Sequence, residues 1–315
     1  MAKILVTGGA GFVGSYIAEK LIQDPSNSVI IMDDLSTGDI TKLPDLPQTN
    51  WSFIKGNTNE YRDIAEIMLS HQFDYVFHFA ALVGVQRTQD NPVSVLADIQ
   101  GIKNILDLSK NTGVKRVFFS SSSEVYGEPV ELPQHEETTP LNSRVPYAVV
   151  KNVGEAFLKS YEKEFGLQYT IFRFFNTYGP KQSPDFVMSR FLRAALRNDD
   201  ITIYGDGSQT RTFCYVQDNV DTCIKTLTEN KYVNDVLNIG GEKEMQIIDL
   251  AKLIIELTNS NSKIVHMPAL EEGDMTRRCP DNSKMKALLG RELVNVREGI
   301  QKVIESKYFQ EHFKY

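Results

Sequence analysis

Tyr147 and Lys151 stand four residues apart in a stretch of helical patterning, which places a phenol and an ammonium on one helix face. A phenol titrating at about 10 is a weak base at neutral pH, but a neighbouring cation favours its ionised form, so the pair suits proton abstraction from an alcohol. Ser122, in the run Ser120–Ser123 after a predicted strand, adds a hydroxyl that can relay the proton. A Tyr-x-x-x-Lys pair also occurs on solvated helices, so its weight comes from its setting.

That setting begins near the N-terminus. The run Val6-Thr7-Gly8-Gly9-Ala10-Gly11-Phe12-Val13-Gly14 follows a predicted strand and opens a predicted helix. Glycines at 8, 11 and 14 permit a tight turn, close approach of backbone to a pyrophosphate and close helix–strand packing. The anion would sit on the helix N-terminus, where free N–H groups and the helix dipole favour it. A plain tight turn uses the same glycines, but Asp33 stands nineteen residues beyond Gly14 at the end of the second predicted strand, placed to accept from a ribose diol. Its charge would repel the 2′-phosphate of NADP, so NAD is the expected cofactor; Asp34 is the competing residue. The GxxxxGK[ST] pattern of a kinase-like phosphate loop is absent.

The elements that must hold these groups show as β-rich runs at Lys3–Thr7, Ser28–Met32, Trp51–Ile54, Tyr75–Phe79, Arg116–Ser120 and Tyr169–Phe174. They alternate with helical stretches such as Phe12–Gln23 and Val95–Lys110, where Leu96, Ile99, Ile102, Ile105 and Leu106 recur at helical spacing. Such alternation predicts an α/β fold, a doubly wound parallel sheet of Rossmann type. After Gly179-Pro180 come a polar loop (Lys181–Asp185), a helix near Val187–Arg197, the turn Tyr204–Ser208 and an apolar run at Phe213–Val216; Val236–Ile239 then returns as a strand. The expected division is a dinucleotide-binding domain over 1–179 and 236–262, with a smaller discontinuous α/β substrate lobe over 180–235 and 263–315.

Composition narrows the partners. Of 315 residues, 34 are Lys or Arg and 41 Asp or Glu, and a net charge of −7 offers no electrostatic footprint for nucleic acid or an anionic membrane. Cys214, Cys223 and Cys279 form no CxxC pair, so neither a disulfide framework nor a zinc site is expected, and a cytoplasmic location fits. The apolar stretch Ile4–Ala18 is broken by four glycines, unlike a signal peptide, and no run approaches the roughly 20 apolar residues of a membrane span. His78 is expected to be packed rather than catalytic; His71, His135, His266 and His312 show no ligand spacing, and no metal is expected. Glu271–Asp274 is either a solvated acidic loop or an aid to ordering the region of Arg277 and Arg278.

The motifs together resemble an extended short-chain dehydrogenase/reductase of the NAD-dependent nucleotide-sugar epimerase/dehydratase family. The residues run nearly end to end: Thr7–Gly14, Asp33–Gly38, His78–Ala81, Ser122–Gly127, Tyr147–Lys151, Arg173–Pro180, Tyr204–Gly207, Arg211–Asp218 and Arg278–Asp281. The resemblance implies that Tyr147 is the base, aided by Ser122, and that Lys151 holds the nicotinamide ribose. Gly8, Gly11, Phe12, Val13, Gly14, Asp33, Asn57, Thr58, Phe79, Ala80 and Ala81 would complete the NAD site. Asn176 and Arg211 would bind the diphosphate of a nucleoside-diphosphate sugar, with UDP the expected nucleotide; Tyr204 would stack on its base and Arg278 would add a second cation. Ser123, Glu124 and Val187 complete the expected substrate set. Two positions depart from the family pattern: Asn57 stands where Asp often meets the adenine amine, and Asp98 where Asn is usual.

The resemblance implies a shared first step, oxidation at C4 to a 4-keto sugar. A 4,6-dehydratase would need an Asp–Glu pair where this chain has Ser123-Glu124. Ser122–Glu124 with Val125–Pro129, Gly207–Arg211 and Arg278–Asp281 are similar to UDP-glucuronate decarboxylases. Ala148-Val149-Val150 and Leu82-Val83-Gly84-Val85 look more like 4-epimerases of hexose or hexuronate nucleotides, and 4-epimerisation of a UDP-sugar is the expected reaction. A catalytically silent nucleotide-binding protein is the reading from another class. The apolar faces of Val95–Lys110 and Tyr147–Phe165 suit the homodimer bundle common in the family.

Overall fold

The computed structural model describes residues 2–269 and 277–313, so Glu271–Asp274 lies outside the described residues. The first half of the chain runs β1 (Lys3–Thr7), α1 (Phe12–Ile22), β2 (Ser28–Asp33), β3 (Trp51–Lys55), α2 (Tyr61–His71), β4 (Tyr75–His78), α3 (Val85–Asp90), α4 (Pro92–Thr112), β5 (Arg116–Ser122), α5 (Pro146–Phe165) and β6 (Gln168–Phe174). The second half adds β7 (Thr177–Tyr178), α6 (Val187–Arg197), β8 (Ile201–Tyr204), β9 (Thr210–Thr212), β10 (Cys214–Tyr215), α7 (Val216–Thr228), β11 (Asp235–Ile239), β12 (Glu244–Gln246), α8 (Ile247–Thr258), β13 (Ile264–Met267), α9 (Ser283–Leu289), α10 (Val296–Glu305) and α11 (Lys307–Phe313).

Seven strands form one sheet in the order β11-β6-β5-β4-β1-β2-β3, and each neighbouring pair is parallel. Side chains alternate across it: Ile4 and Val6 enter the core beneath α1 and α7, while Leu5 enters the one beneath α2, α4 and α5. Burial on both faces explains why the strands are continuous apolar runs. This is the doubly wound Rossmann-like α/β fold. Strand order reverses between β1 and β4, which opens a crevice at their carboxyl ends, where such sheets bind ligands.

Local signals set the helices that matter most. Pro92 and Pro146 lie in the first turns of α4 and α5, where the missing N–H has no intrahelical partner to lose, and both helices end on glycines in the left-handed region, Gly113 (φ 80°) and Gly166 (φ 72°).

Two expected elements differ. The serine run does not follow β5 but completes it, because Ser120, Ser121 and Ser122 continue the pairing opposite Phe172, Arg173 and Phe174. In the run Phe213–Val216, Cys214 and Tyr215 form β10, Val216 opens α7 and Phe213 precedes both. The cores also partition the chain differently from the expected boundaries. Val216, Val220 and Cys223 of α7 and Met285 and Leu289 of α9 pack on the sheet. Leu250, Ala251 and Ile254 of α8 join Phe191, Leu192, Ile201 and Ile300 in a separate core.

Among the described residues, no helix is long and apolar enough to cross a membrane, and no group of three or more His, Cys, Asp or Glu side chains is placed to hold a metal. Cys214 and Cys223 are buried and Cys279 is partly so, all as free thiols.

Candidate active site

A cleft of about 1030 Å³ follows the crevice and continues into the second lobe. At its base the glycine loop folds against the chain leaving β4. Gly8 has φ +69°, and a Cβ there would lie 2.5 Å from Ala80 N; a Cβ on Gly14 would lie 2.2 Å from Gly8 O. Side chains at these positions would fill the cradle at the start of α1, so the site fits a dinucleotide pyrophosphate.

Asp33 ends β2 and is buried, its carboxylate accepting from Ala10 N–H (3.0 Å) and Leu35 N–H (2.9 Å). Burial pushes it above the usual carboxylate range against the pull of those two bonds. Asp34 instead accepts from Ser36 N–H at the surface. Asn57 and Thr58 line the same end, with Asn57 Oδ1 accepting from Asn59 N–H (2.9 Å). Phe12, Val13, Phe79, Ala80 and Ala81 line the passage toward Tyr147.

Tyr147 and Lys151 project from the first two turns of α5 into the middle of the cleft. Lys151 is buried, donates to Ser120 Oγ at 3.4 Å, and sits 5.0 Å from the Phe119 ring and 5.6 Å from the Tyr147 ring. Burial lowers its ammonium to about 8, while Asp98 opposes the drop. Burial raises the Tyr147 phenol well above its ordinary value; Glu124 and Asp98 add to the rise, and the Ser122 hydroxyl bond and Arg278 oppose it. These surroundings therefore favour the protonated phenol, and ionisation is favoured by further positive charge.

Ser122 also accepts from Glu124 N–H (3.2 Å), capping the short helical turn that carries Ser123 and Glu124. Glu124 Oε1 accepts from Arg278 Nη2 at 2.9 Å, and Arg278 Nε is buried with no hydrogen-bond partner among the described residues. Asn176, with φ +32°, lines the far end and donates to Thr212 O (3.0 Å); Val187 lines it from the start of α6.

Tyr204 and Arg211 are not among the residues lining the cleft. The Arg190 guanidinium lies 5.3 Å from the Tyr204 ring, and Arg211 Nη1 turns back to Thr210 O at 2.8 Å. The cleft instead recruits Leu82, Gly84, Asp98, Gln182, Phe186 and Phe213. Phe186 and Phe213 flank Val187 and the segment of Arg211, so adjacency along the chain is the signal that points to them; Asp98 stands out in the sequence only as a departure from the family pattern.

His78 ends β4 beneath this centre, 2 % exposed, with Nδ1 2.8 Å from Thr7 Oγ1. Burial, and then the Lys151 charge, move its imidazole from 6.5 to about 3. The unfolded chain takes up this proton below 6.5 and the folded chain does not, so stability rises with pH between about 3 and 6.5. A His78→Asn variant should lose up to about 1.4 kcal/mol per pH unit of that slope in denaturant titrations. Equal slopes in the two proteins would show His78 charged in the fold.

Residues 4–240 match the model of the NAD dependent epimerase/dehydratase family. A UDP-N-acetyl-alpha-D-glucosaminuronate decarboxylase of Bacillus cytotoxicus is 37% identical over 302 residues, 91% of each chain. The crystal structure of UDP-glucose 4-epimerase from Thermotoga maritima with UDP-glucose superposes with a TM-score of 0.91 at 34% identity, covering 98% of this chain and 99% of that one. A Thermus thermophilus UDP-glucose 4-epimerase in complex with NAD gives 0.89 at 26% identity, covering 98% and 99%.

Proposed function

The chain belongs to the NAD-dependent epimerase/dehydratase family, with NAD as its cofactor, and from this premise we propose that it epimerises a UDP-sugar, a hexose or hexuronate, at C4 through a 4-keto intermediate. The observation that carries this is the continuous cleft running from the Gly8–Gly14 cradle past Ser122, Tyr147 and Lys151 to Asn176, Val187 and Arg278. It sets the phenol between a dinucleotide end and a second, partly cationic end.

In this reading Asp33 accepts from the adenosine ribose, and the glycine loop and the α1 N-terminus take the pyrophosphate. Bound NAD supplies a reversible hydride acceptor, together with positive charge beside the phenol. Lys151 donates to the nicotinamide ribose, and its charge favours ionisation at Tyr147 Oη. Tyr147 Oη then takes the proton of the C4 hydroxyl, with Ser122 Oγ hydrogen-bonded to the same group, and returns it after the sugar has turned over. Arg278 and Asn176 hold the diphosphate. Arg211 and the Tyr204 ring lie beyond the cleft lining, and their assignment to the diphosphate and the base rests on the family resemblance.

A UDP-glucuronate decarboxylase is the second reading. The Glu124–Arg278 pair beside Tyr147 favours it, since a buried guanidinium suits a carboxylate-bearing sugar, and the Bacillus cytotoxicus relative is a decarboxylase of a UDP-uronate. The cleft residue before Glu124 is the hydroxyl of Ser123, which is no general acid, so a 4,6-dehydratase has less support. A cytoplasmic homodimer pairing α4 and α5 completes the proposal, as Val93 and Leu96 are exposed on α4.

Incubation with UDP-glucose, UDP-GlcNAc and UDP-glucuronate, with products resolved by NMR, tests this. A C4 epimer is the expected product. A UDP-pentose with release of CO2 would replace the first reading by the second, and no product from any of the three would remove both.

A further inference from the structure

Asp98 lies half-buried on α4, and both of its carboxylate oxygens are engaged. Oδ2 accepts from Leu82 N–H at 2.8 Å, and Oδ1 accepts from Asn59 Nδ2 at 3.1 Å. Leu82 belongs to the segment leaving β4 and Asn59 to the segment leaving β3, and both segments line the cleft. One side chain therefore ties the adenine end of the crevice to the loop bordering Tyr147. Local sequence makes room for the tie: a Cβ at Gly101, on the next turn of α4, would stand 2.3 Å from Asn59 Oδ1.

The same side chain lines the cleft together with Tyr147 and Lys151. Lys151 is met from β5 by the Ser120 hydroxyl and the Phe119 ring, from β4 by His78, held neutral by burial, and from α5 by Tyr147. Glu124 is paired with Arg278, and Glu155, one turn beyond Lys151, is paired with Arg173. Asp98 is the charge that opposes the burial of Lys151.

We propose that Asp98 is a positioning residue of the reacting centre: its carboxylate joins the loops after β3 and β4 through Asn59 and Leu82 and sets a negative charge against the buried Lys151 ammonium. This rests on the assignment of Tyr147 and Lys151 above. An amide at position 98 retains one acceptor for Leu82 but loses the charge, so the two roles separate by substitution.

The signs follow from the charge. A carboxylate favours the ammonium of Lys151 and disfavours the phenolate of Tyr147, so it holds both titrations high. Without it both fall, and the whole pH profile moves toward acid.

The test uses the full chain as Asp98→Asn and Asp98→Ala. Hydrogen–deuterium exchange at the Leu82 amide should be about tenfold or more faster in the alanine variant and near wild type in the asparagine variant. The pH profile of kcat/KM, on whichever of UDP-glucose, UDP-GlcNAc or UDP-glucuronate turns over, should shift in Asp98→Asn by roughly one unit to lower pH on both limbs. Unchanged Leu82 exchange in Asp98→Ala would overturn the joining role. A profile lowered uniformly, or superimposable on wild type, would overturn the electrostatic one. Where the alanine variant does not fold, the asparagine profile decides alone. Tyr147→Phe, run beside them, keeps the two ideas apart: full activity there removes the acid–base assignment, whereas an inactive Tyr147→Phe with an unshifted Asp98→Asn removes only this proposal.

Discussion

Tyr147→Phe should lower kcat by about 10³-fold, with NAD binding and KM close to wild type. The substitution keeps the ring that packs against the sheet core and lies 5.6 Å from Lys151 Nζ, and deletes only the oxygen that would receive the sugar proton. Ser122 remains, but a serine hydroxyl next to a buried ammonium is too weak a base to replace a phenolate. The expected split, a fall in kcat without a matching rise in KM, marks loss of an interaction made in the transition state. Product formation followed by NMR, together with the NAD content of the purified variant, checks both halves. Activity within tenfold of wild type would take Tyr147 out of the mechanism.

The second large effect is on stability. Beneath the proposed reacting centre, Arg173 and Glu155 are each 1 % exposed and joined twice, Nε to Oε1 at 2.9 Å and Nη2 to Oε2 at 2.7 Å. Ser121 Oγ donates to Glu155 Oε1, and Arg173 Nη1 donates to Tyr126 Oη and to Glu136 O. Tyr126 Oη in turn donates to Asn238 Oδ1, so the network spans β5, β6, β11 and α5. Burial by itself would lower the guanidinium, but the Glu155 carboxylate more than offsets this and holds it above its ordinary range. Removing one partner leaves the other charged and unpaired in the core. Glu155→Gln should therefore destabilise the protein by about 3–5 kcal/mol in urea unfolding, and Arg173→Met by a similar amount. The double variant Arg173→Met/Glu155→Gln should lose clearly less than the sum, since no orphaned charge remains. Additive losses, or a Glu155→Gln change below about 1 kcal/mol, would show that the pair is not the buried ion pair described. Glu155 shares a face of α5 with Tyr147 and Lys151 at four-residue spacing, so the network also sets that helix's rotation toward the cleft.

Much of this architecture is legible in the amino-acid sequence. Alternation of short β-rich runs with helical periods specifies the parallel sheet, because strands buried on both faces must be apolar throughout and their crossovers must be helices. The Gly8–Gly14 spacing and Asp33 point to the end of the cleft proposed for the dinucleotide, because a tight turn against a pyrophosphate excludes side chains and a strand-end carboxylate suits a ribose diol. Tyr147, Lys151 and Ser122 are recognisable as a group because their spacing and setting are local properties.

What stays hidden in the sequence depends on contacts between distant segments. That the serine run belongs to β5 follows from its pairing with β6, some fifty residues later, which no local propensity encodes. Helix α8 joins the second core and α7 the first because each buries its apolar face against whatever surface the tertiary arrangement presents, so boundaries drawn along the chain misplace both. Local patterning thus specifies the elements and the chemical groups they carry. Which of those groups converge is decided in three dimensions: Arg278 reaches Glu124 and Asp98 reaches Leu82 and Asn59, while Tyr204 and Arg211 lie outside the cleft lining. The reason is that hydrogen bonds and charge pairs act over a few ångströms of space, whatever the separation along the chain.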